Sequence, residues 1–310
     1  MMDNMKDHPL YRKHDIDSAM NALWAFYKGR FVALFLISLV ISGILQYATM
    51  LIDFKSLYTI TDPALVLEKL KSYMVPMLIF MVAGLLSNTI MHYYILHKPI
   101  DSSMNIFISI VKSLKYFIPY LILMVLFACF AVLAIVLGVF VLFIGAIFAA
   151  LYVGMLSFFI LPVMMAEEAN IQQTISRTIK LAHSGFWANM GWSSIFFVLY
   201  LIISIVLSGV VLLPFAGSFM KTFANPQDTS SIMHLPNDPL FLFLSSAINA
   251  LTLPLSPIFG FIIYFNGKAK EESSSISFTG NDNGEQKVRV EDLYAKPREE
   301  NNFDQPPAQG

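Results

Sequence analysis

The chain has 310 residues, 56% of them hydrophobic and 13% charged, with a formal net charge of −1. A soluble domain carries about a quarter charged residues, so this is the composition of a membrane protein, and the near-neutral balance offers no footing for nucleic acid. The single cysteine, Cys129, excludes an intramolecular disulfide.

Residues 1–30 are of mixed charge and read as a cytoplasmic N-terminus. The apolar run that follows is longer than a secretory signal core and lacks a small-residue cleavage site, so it reads as a first span. Within the N-terminus, Ile16-Asp17-Ser18-Ala19-Met20-Asn21, running to Lys28, predicts an amphipathic helix with Ile16, Met20, Leu23 and Tyr27 on one face. The unit recurs 84 residues later as Ile100-Asp101-Ser102-Ser103-Met104-Asn105, running to Lys112, with Ile100, Met104, Phe107 and Val111 on one face. A looser third copy runs from Ile171-Gln172-Gln173-Thr174-Ile175-Ser176 to His183. Asp17 and Asp101 are the expected N-caps. Glu167 and Glu168 fall before the third segment, and bases fall toward the helix ends, complementing the dipole. Each segment is expected to lie on the cytoplasmic face and to be followed by two spans. Aromatic residues meet the headgroups at Phe31, Tyr116-Phe117 and Phe186-Trp187.

A spanning helix needs about 20 apolar residues. Spans are predicted at 31–52, 74–96, 117–139, 142–165, 192–218 and 239–265. Residues 117–165 contain no charged residue and are too long for one crossing, so a tight turn is expected between Gly138 and Gly145. Six crossings with the N-terminus inside put 16 Lys/Arg on the cytoplasmic side and 4 on the other, whereas a single crossing by 117–165 gives 9 against 11. The positive-inside rule selects six, with both termini inside. The fold class is therefore all-α integral membrane, six transmembrane helices arranged as three repeats of an interfacial helix plus a hairpin. The far-side loops are expected at 53–73 and 219–238. The tail 266–310, rich in Ser, Asn, Glu and Pro from Glu271, is expected to be disordered, with Val288–Tyr294 a segment able to pair with a protein partner.

Asp, Glu, Lys and Arg are absent from the six predicted cores, which counts against proton pumps and many ion-coupled carriers. Polar stripes are present: Ser38, Ser42 and Gln46 in the first span, Asn88 and His92 in the second, and Ser245, Asn249, Thr252 and Ser256 in the sixth. Such stripes fit either interhelical hydrogen bonding or a polar groove formed by Gln46, Asn88, His92, Asn249, Thr252 and Ser256. Pro254 and Pro257 interrupt the sixth span, as in the broken helices of transporter sites or as tolerated kinks. Ala146, Ala150 and Gly154 make a ridge of small residues expected to pack within the monomer. The six histidines show no metal-ligand spacing, and neither a phosphate loop nor a nucleophile motif occurs, so no catalytic residue, cofactor or metal site is assigned.

The run Leu161-Pro162-Val163-Met164-Met165-Ala166-Glu167-Glu168, followed by Thr174–Leu181 and Gly185-Phe186-Trp187, resembles the membrane domain of bacterial glycerophosphoryl diester phosphodiesterases. Pro254, Tyr264-Phe265-Asn266 and Lys268-Ala269-Lys270-Glu271 resemble that family's C-terminal ending, with Asn266 in place of the usual acid and Ser176-Arg177 out of register. In enzymes of the family catalysis belongs to a separate soluble barrel of about 250 residues, too large for the 30- and 45-residue ends here. The resemblance therefore implies the architecture and a bacterial cytoplasmic membrane, without the hydrolase. The expected function is a non-enzymatic envelope protein, a scaffold or accessory subunit linked to lipid handling. The alternative is a transporter or channel for a neutral or lipid-like substrate, which requires a polar cavity between spans one, two and six.

Overall fold

A computed structural model describes residues 5–49, 62–225 and 235–280, and regular structure among them is helical, with no strand. In chain order the helices are α1 (Ile16–Gly29), α2 (Phe31–Thr49), α3 (Pro63–His97), α4 (Ile106–Phe140), α5 (Leu142–Ala166), α6 (Ile171–His183), α7 (Phe186–Leu212), α8 (Ala216–Ala224), α9 (Pro239–Thr252) and α10 (Leu255–Gly280). Six segments among them are long and apolar enough to cross a membrane: α2, α3, α4, α5, α7 with its extension through α8, and α9 with α10. Their outer faces are apolar and uncovered, as at Val32, Leu36 and Val40 of α2 and at Ile118, Val125 and Leu133 of α4. That is the surface of a protein solvated by lipid.

The reversal between the third and fourth spans falls at Val141, whose N–H donates to the Gly138 carbonyl (3.1 Å). A Cβ on Gly138 would sit 2.6 Å from the Gly145 carbonyl oxygen, so the two glycines let α4 and α5 meet directly behind the turn. In the small-residue ridge of α5, a Cβ on Gly154 would lie 2.6 Å from the Phe197 ring, so the ridge receives α7 within the monomer.

Several expectations are corrected. The cap of α1 is Asp15, two residues before Asp17; it closes a capping box with Ser18. The second copy of the repeated unit forms no separate helix. Asp101 accepts from the N–H and hydroxyl of Ser103 (2.9 and 2.6 Å), which holds Ile100–Asn105 as turns. Asn105 then caps one continuous helix, α4, that runs into the third span. The first and third segments end at Gly29 and at Ser184-Gly185, but the position of Gly29 is taken by Ser113 in the second, and nothing interrupts the helix there. The third segment is capped by Asn170, boxed with Gln173, while Glu167 terminates α5. Residues 63–73, expected as loop, are the first turns of α3, with Asp62 as cap and Pro63 in the first turn. Part of 219–238 is helical as well, in α8 and in the 3-10 turn Leu235–Asn237. The tail begins in helix: α10 continues to Gly280, and Val288–Tyr294 lies outside the described residues.

The tightest packing surrounds the front half of α10. Ile258, Phe259, Phe261, Ile262 and Ile263 are fully buried, as are Phe159, Val163 and Met164 of α5 and Met91 and Leu96 of α3. Helix α1 adds to this core. The backbone N–H of His14 donates to Asn266 Oδ1 (2.9 Å), and the Tyr27 hydroxyl donates to the Leu251 carbonyl (2.9 Å). Both ends of α1 are thereby tied to the sixth span, one on each side of its break. Its buried face is Ala19, Ala22, Leu23, Phe26 and Tyr27.

The closest approach in this packing is at Gly260, where an added Cβ would fall 2.9 Å from the Phe158 carbonyl oxygen. Gly260→Ala is expected to destabilise the protein by about 1–3 kcal/mol, the range for overpacking. Gly209→Ala, with nothing within 4 Å of the new methyl, should leave the unfolding temperature in detergent unchanged or slightly raised. Equal midpoints for the two variants would refute the packing described here.

Candidate functional site

The sixth span is broken where its sequence removes donors. Pro254 and Pro257 lack the N–H groups that a continuous helix would give to the carbonyls of Ala250 and Leu253. The chain turns at Leu253-Pro254 between α9 and α10, and the Tyr27 hydroxyl supplies the donor that Leu251 lacks. Two turns before the break, α9 packs on α2, and the Ser42 hydroxyl donates to the Ser246 carbonyl (2.7 Å).

A cleft of about 300 Å³ opens beside this break. Its walls are Ser42, Leu45 and Gln46 of α2, Asn88 of α3, Tyr200 of α7, and Asn249, Thr252, Leu253 and Ser256 across the break. Five of the six groove residues named from sequence, Gln46, Asn88, Asn249, Thr252 and Ser256, therefore line one space. His92 does not. Its Nδ1 lies 2.9 Å from the Asn88 carbonyl oxygen and its ring packs against Phe261, so it is a buried histidine donating within its own helix. Tyr200 escaped the sequence reading because a lone tyrosine in an apolar span has no stripe to mark it.

Gln46 lies about 24 Å along α2 from Arg30, and Asn88 about 14 Å along α3 from His97. Both depths fall inside a hydrocarbon layer of about 30 Å. No lining residue is ionisable in the physiological range. Some polar groups are committed: Asn88 Nδ2 donates to the Tyr120 hydroxyl (3.0 Å), and the Thr252 hydroxyl bonds carbonyls of its own helix (3.3–3.4 Å). The side-chain amides of Gln46 and Asn249 and the Ser256 hydroxyl have no hydrogen-bond partner among the described residues. An amide carries two donors and an acceptor, and at this depth each unsatisfied group is costly. The cleft can therefore hold water or a neutral hydrogen-bonding group.

A second polar constellation lies where the helices of the α5–α6 side end. Glu167 accepts two hydrogen bonds from Arg177 (2.9 and 3.0 Å) and one from the Tyr264 hydroxyl (3.3 Å), and Lys268 Nζ is 3.4 Å away. Burial works to raise the Glu167 pKa, but the hydrogen bonds and charges of Arg177 and Lys268 outweigh it and hold the carboxylate below its usual range. Glu168, at the left-handed φ of 49°, turns the chain and pairs with Lys115 (3.0 Å). Reading these glutamates as helix-start charges missed this role, since it depends on Tyr264 and Lys268, about a hundred residues distant. Among the described residues no group of three His, Cys, Asp or Glu is placed to hold a metal.

Comparison with protein-family models, with curated proteins and with solved structures finds no match to this chain.

The N-terminal segment is pinned by His8. Its Nε2 donates to the Ile95 carbonyl (3.2 Å), its Nδ1 accepts from the Leu10 N–H (3.2 Å), and its ring packs on Phe26 and Phe265. Both nitrogens are used as the neutral imidazole would use them. Burial, aided by the positive field of Arg30 and His97, lowers its pKa from 6.5 to about 4. The folded state resists a proton that the unfolded chain accepts, so stability is whole above pH 6.5 and falls as pH drops toward 4. The loss amounts to about 3 kcal/mol when complete. Hydrogen exchange of the Ala19–Phe26 amides should accelerate on going from pH 7 to pH 5, after correction for intrinsic rates, and His8→Gln should flatten most of that dependence. Protection that is unchanged between the two pH values would contradict the neutral assignment.

Proposed function

We propose that this chain is a non-enzymatic integral membrane protein of a bacterial cytoplasmic membrane, with both termini inside, that carries or conducts a neutral, hydrogen-bonding or lipid-like substrate through the cleft at the α9–α10 break. The observation that carries this reading is the convergence of Gln46, Asn249 and Ser256, from two spans and both sides of a broken helix, on one uncharged space with their side chains uncommitted. Broken helices at mid-depth are where transporters build sites, since the freed backbone groups are tolerated only beside protein or a cavity. The excess of Lys/Arg on the assigned cytoplasmic side supports the orientation. The resemblance of short motifs to glycerophosphoryl diester phosphodiesterase membrane domains supports the bacterial assignment, and the recurrence of the 16–28 unit at 100–112 and 171–183 supports an origin in three diverged helix-plus-hairpin units, of which the first and third have a separate leading helix.

A second reading, a scaffold or accessory subunit in lipid handling with a protein partner on the C-terminal tail, is favoured by one feature. The close-packed residues 258–265 stand between the cleft and the end that carries Arg30 and His97, so transport requires α10 to move.

Purified protein in liposomes, assayed with small neutral solutes and with a fluorescent phospholipid analogue, separates the two. Transport predicts flux of at least one probe, reduced tenfold or more by Asn249→Leu and by Gln46→Leu with folding intact. A wild-type protein that moves none of them leaves the scaffold reading in place and removes the carrier.

A further inference from the structure

A separate cleft, of about 510 Å³, lies where α1 gives way to α2 and α3 gives way to its following loop. It is lined by Lys28 and Arg30 from the first junction and by Lys98 and Ser102 from the second, with Tyr94, Phe31 and Val32 as its remaining principal walls. No carboxylate lines it. Asp101, in the same loop, is turned to Ser103. Arg30 is spread over the Phe26 ring at 4.3 Å, and Lys98 Nζ donates to the Ser102 carbonyl (2.8 Å). Among the described residues neither Lys28 nor Arg30 meets an acid. This contrasts with the α5–α6 side of the same end, where Arg177, Lys268 and Lys115 are all paired with Glu167 or Glu168.

Three cations line one space, two of them far from any acid and the third, Lys98, only in the field of an Asp101 already bonded to Ser103, and such a space favours an anion. The walls say which kind. The cleft is continuous with the exposed apolar stripe of α2, in which Val32, Leu36, Val40 and Ile44 recur every fourth residue and are 68, 54, 63 and 64% exposed. The stripe starts at the cleft, on Val32, and runs for about 18 Å along the helix. A free phosphate would use only the cations. A molecule with an anionic head and long apolar chains would use both the cleft and the stripe. We propose that this cleft is a binding site for an anionic phospholipid, its phosphate held by Lys28, Arg30 and Lys98, with the Tyr94 hydroxyl as a further donor, and its acyl chains along Val32–Ile44. The site is independent of the neutral cleft at the α9–α10 break and stands whatever that cleft carries.

The test is native mass spectrometry of the delipidated full chain titrated with phosphatidylglycerol or phosphatidylcholine, with and without millimolar inorganic phosphate. The expected result is at least tenfold preference for phosphatidylglycerol, unaffected by phosphate, and lost in Lys28→Gln/Arg30→Gln/Lys98→Gln. Lys28 is exposed, so Lys28→Gln alone is expected to keep the fold and should still weaken phosphatidylglycerol severalfold while leaving phosphatidylcholine unchanged. Equal retention of the two lipids, or a preference that survives in Lys28→Gln at full strength, overturns the proposal. Displacement of the lipid by inorganic phosphate would also overturn it, by making the site one for the free anion.

Discussion

A helix that is apolar on every side can leave water in two ways, into lipid or into protein. Helices α2 and α4 take the first and keep long bare faces. The front half of α10 takes the second, and the body is built around that choice. Between helices already in lipid, burial of apolar surface gains little, and association rests on close fit. The fit is visible residue by residue. Gly260 lets the backbone reach Phe158, Phe259 stacks on Phe196 (centroids 4.3 Å apart, planes 9° apart), and the Phe158 ring meets Phe259 edge-on at 5.1 Å. Helix α1 joins the same core, with Ala19, Ala22, Leu23 and Phe26 as its buried face.

Enclosing α10 while keeping α9 against α2 demands a change of direction in the sixth span, and the prolines provide it. A bend made by withholding N–H groups leaves carbonyls to satisfy, and the Tyr27 hydroxyl serves Leu251 there, while Ser42 bonds Ser246 two turns earlier and ties α2 to α9. The neutral cleft grows from the same cause, since helices that diverge at a bend cannot fill the space between them. Gln46 and Asn249 are amides without an internal bond in a region where such groups are expensive, which is why the cleft, rather than the denser polar network around Glu167, carries the functional proposal.

How much of this was legible in the sequence depends on how local the cause is. The spans are set by composition over 20 residues, and the Val141 reversal by two glycines that straddle it, so both could be read. The groove was legible because helical spacing puts Gln46 beside Ser42, and Ser256 beside Thr252 and Asn249, before any packing is known. The same arithmetic put His92 with Asn88, one turn away, but Phe261 turns that ring toward the core. The repeated hexapeptide misled for a related reason. Ile16-Asp17-Ser18 and Ile100-Asp101-Ser102 are alike, yet the first opens a helix and the second is a turn. The first copy opens on the preceding cap Asp15, whereas in the second Asp101 bonds Ser103 and the helix cap is Asn105, the last residue of the motif itself. The long front of α3 was missed because Glu68, Lys69 and Lys71 argue against membrane, although Asp62-Pro63 is a sound helix start in or out of it.

The charges at the end that carries Arg30, His97 and Glu167 complete the logic of the bundle. Charge spent only on solubility would mix signs over the whole end. Here acids and bases are sorted. Glu167 and Glu168 sit on the α5–α6 side and are saturated by Arg177, Lys268 and Lys115, tying α4, α6 and α10 to the end of α5. Lys28, Arg30 and Lys98 line a separate cleft with no carboxylate in its walls, and the nearby Asp101 is bonded to Ser103. Paired charges at a surface contribute little net field beyond a Debye length, so the field of this end comes mainly from the unpaired side, where α2 begins its lipid-facing stripe. A protein that fixes positive charge beside an exposed apolar stripe, and neutralises it elsewhere, has the electrostatic shape of a protein that orders an anionic headgroup on one flank and uses the other to lock its helices together.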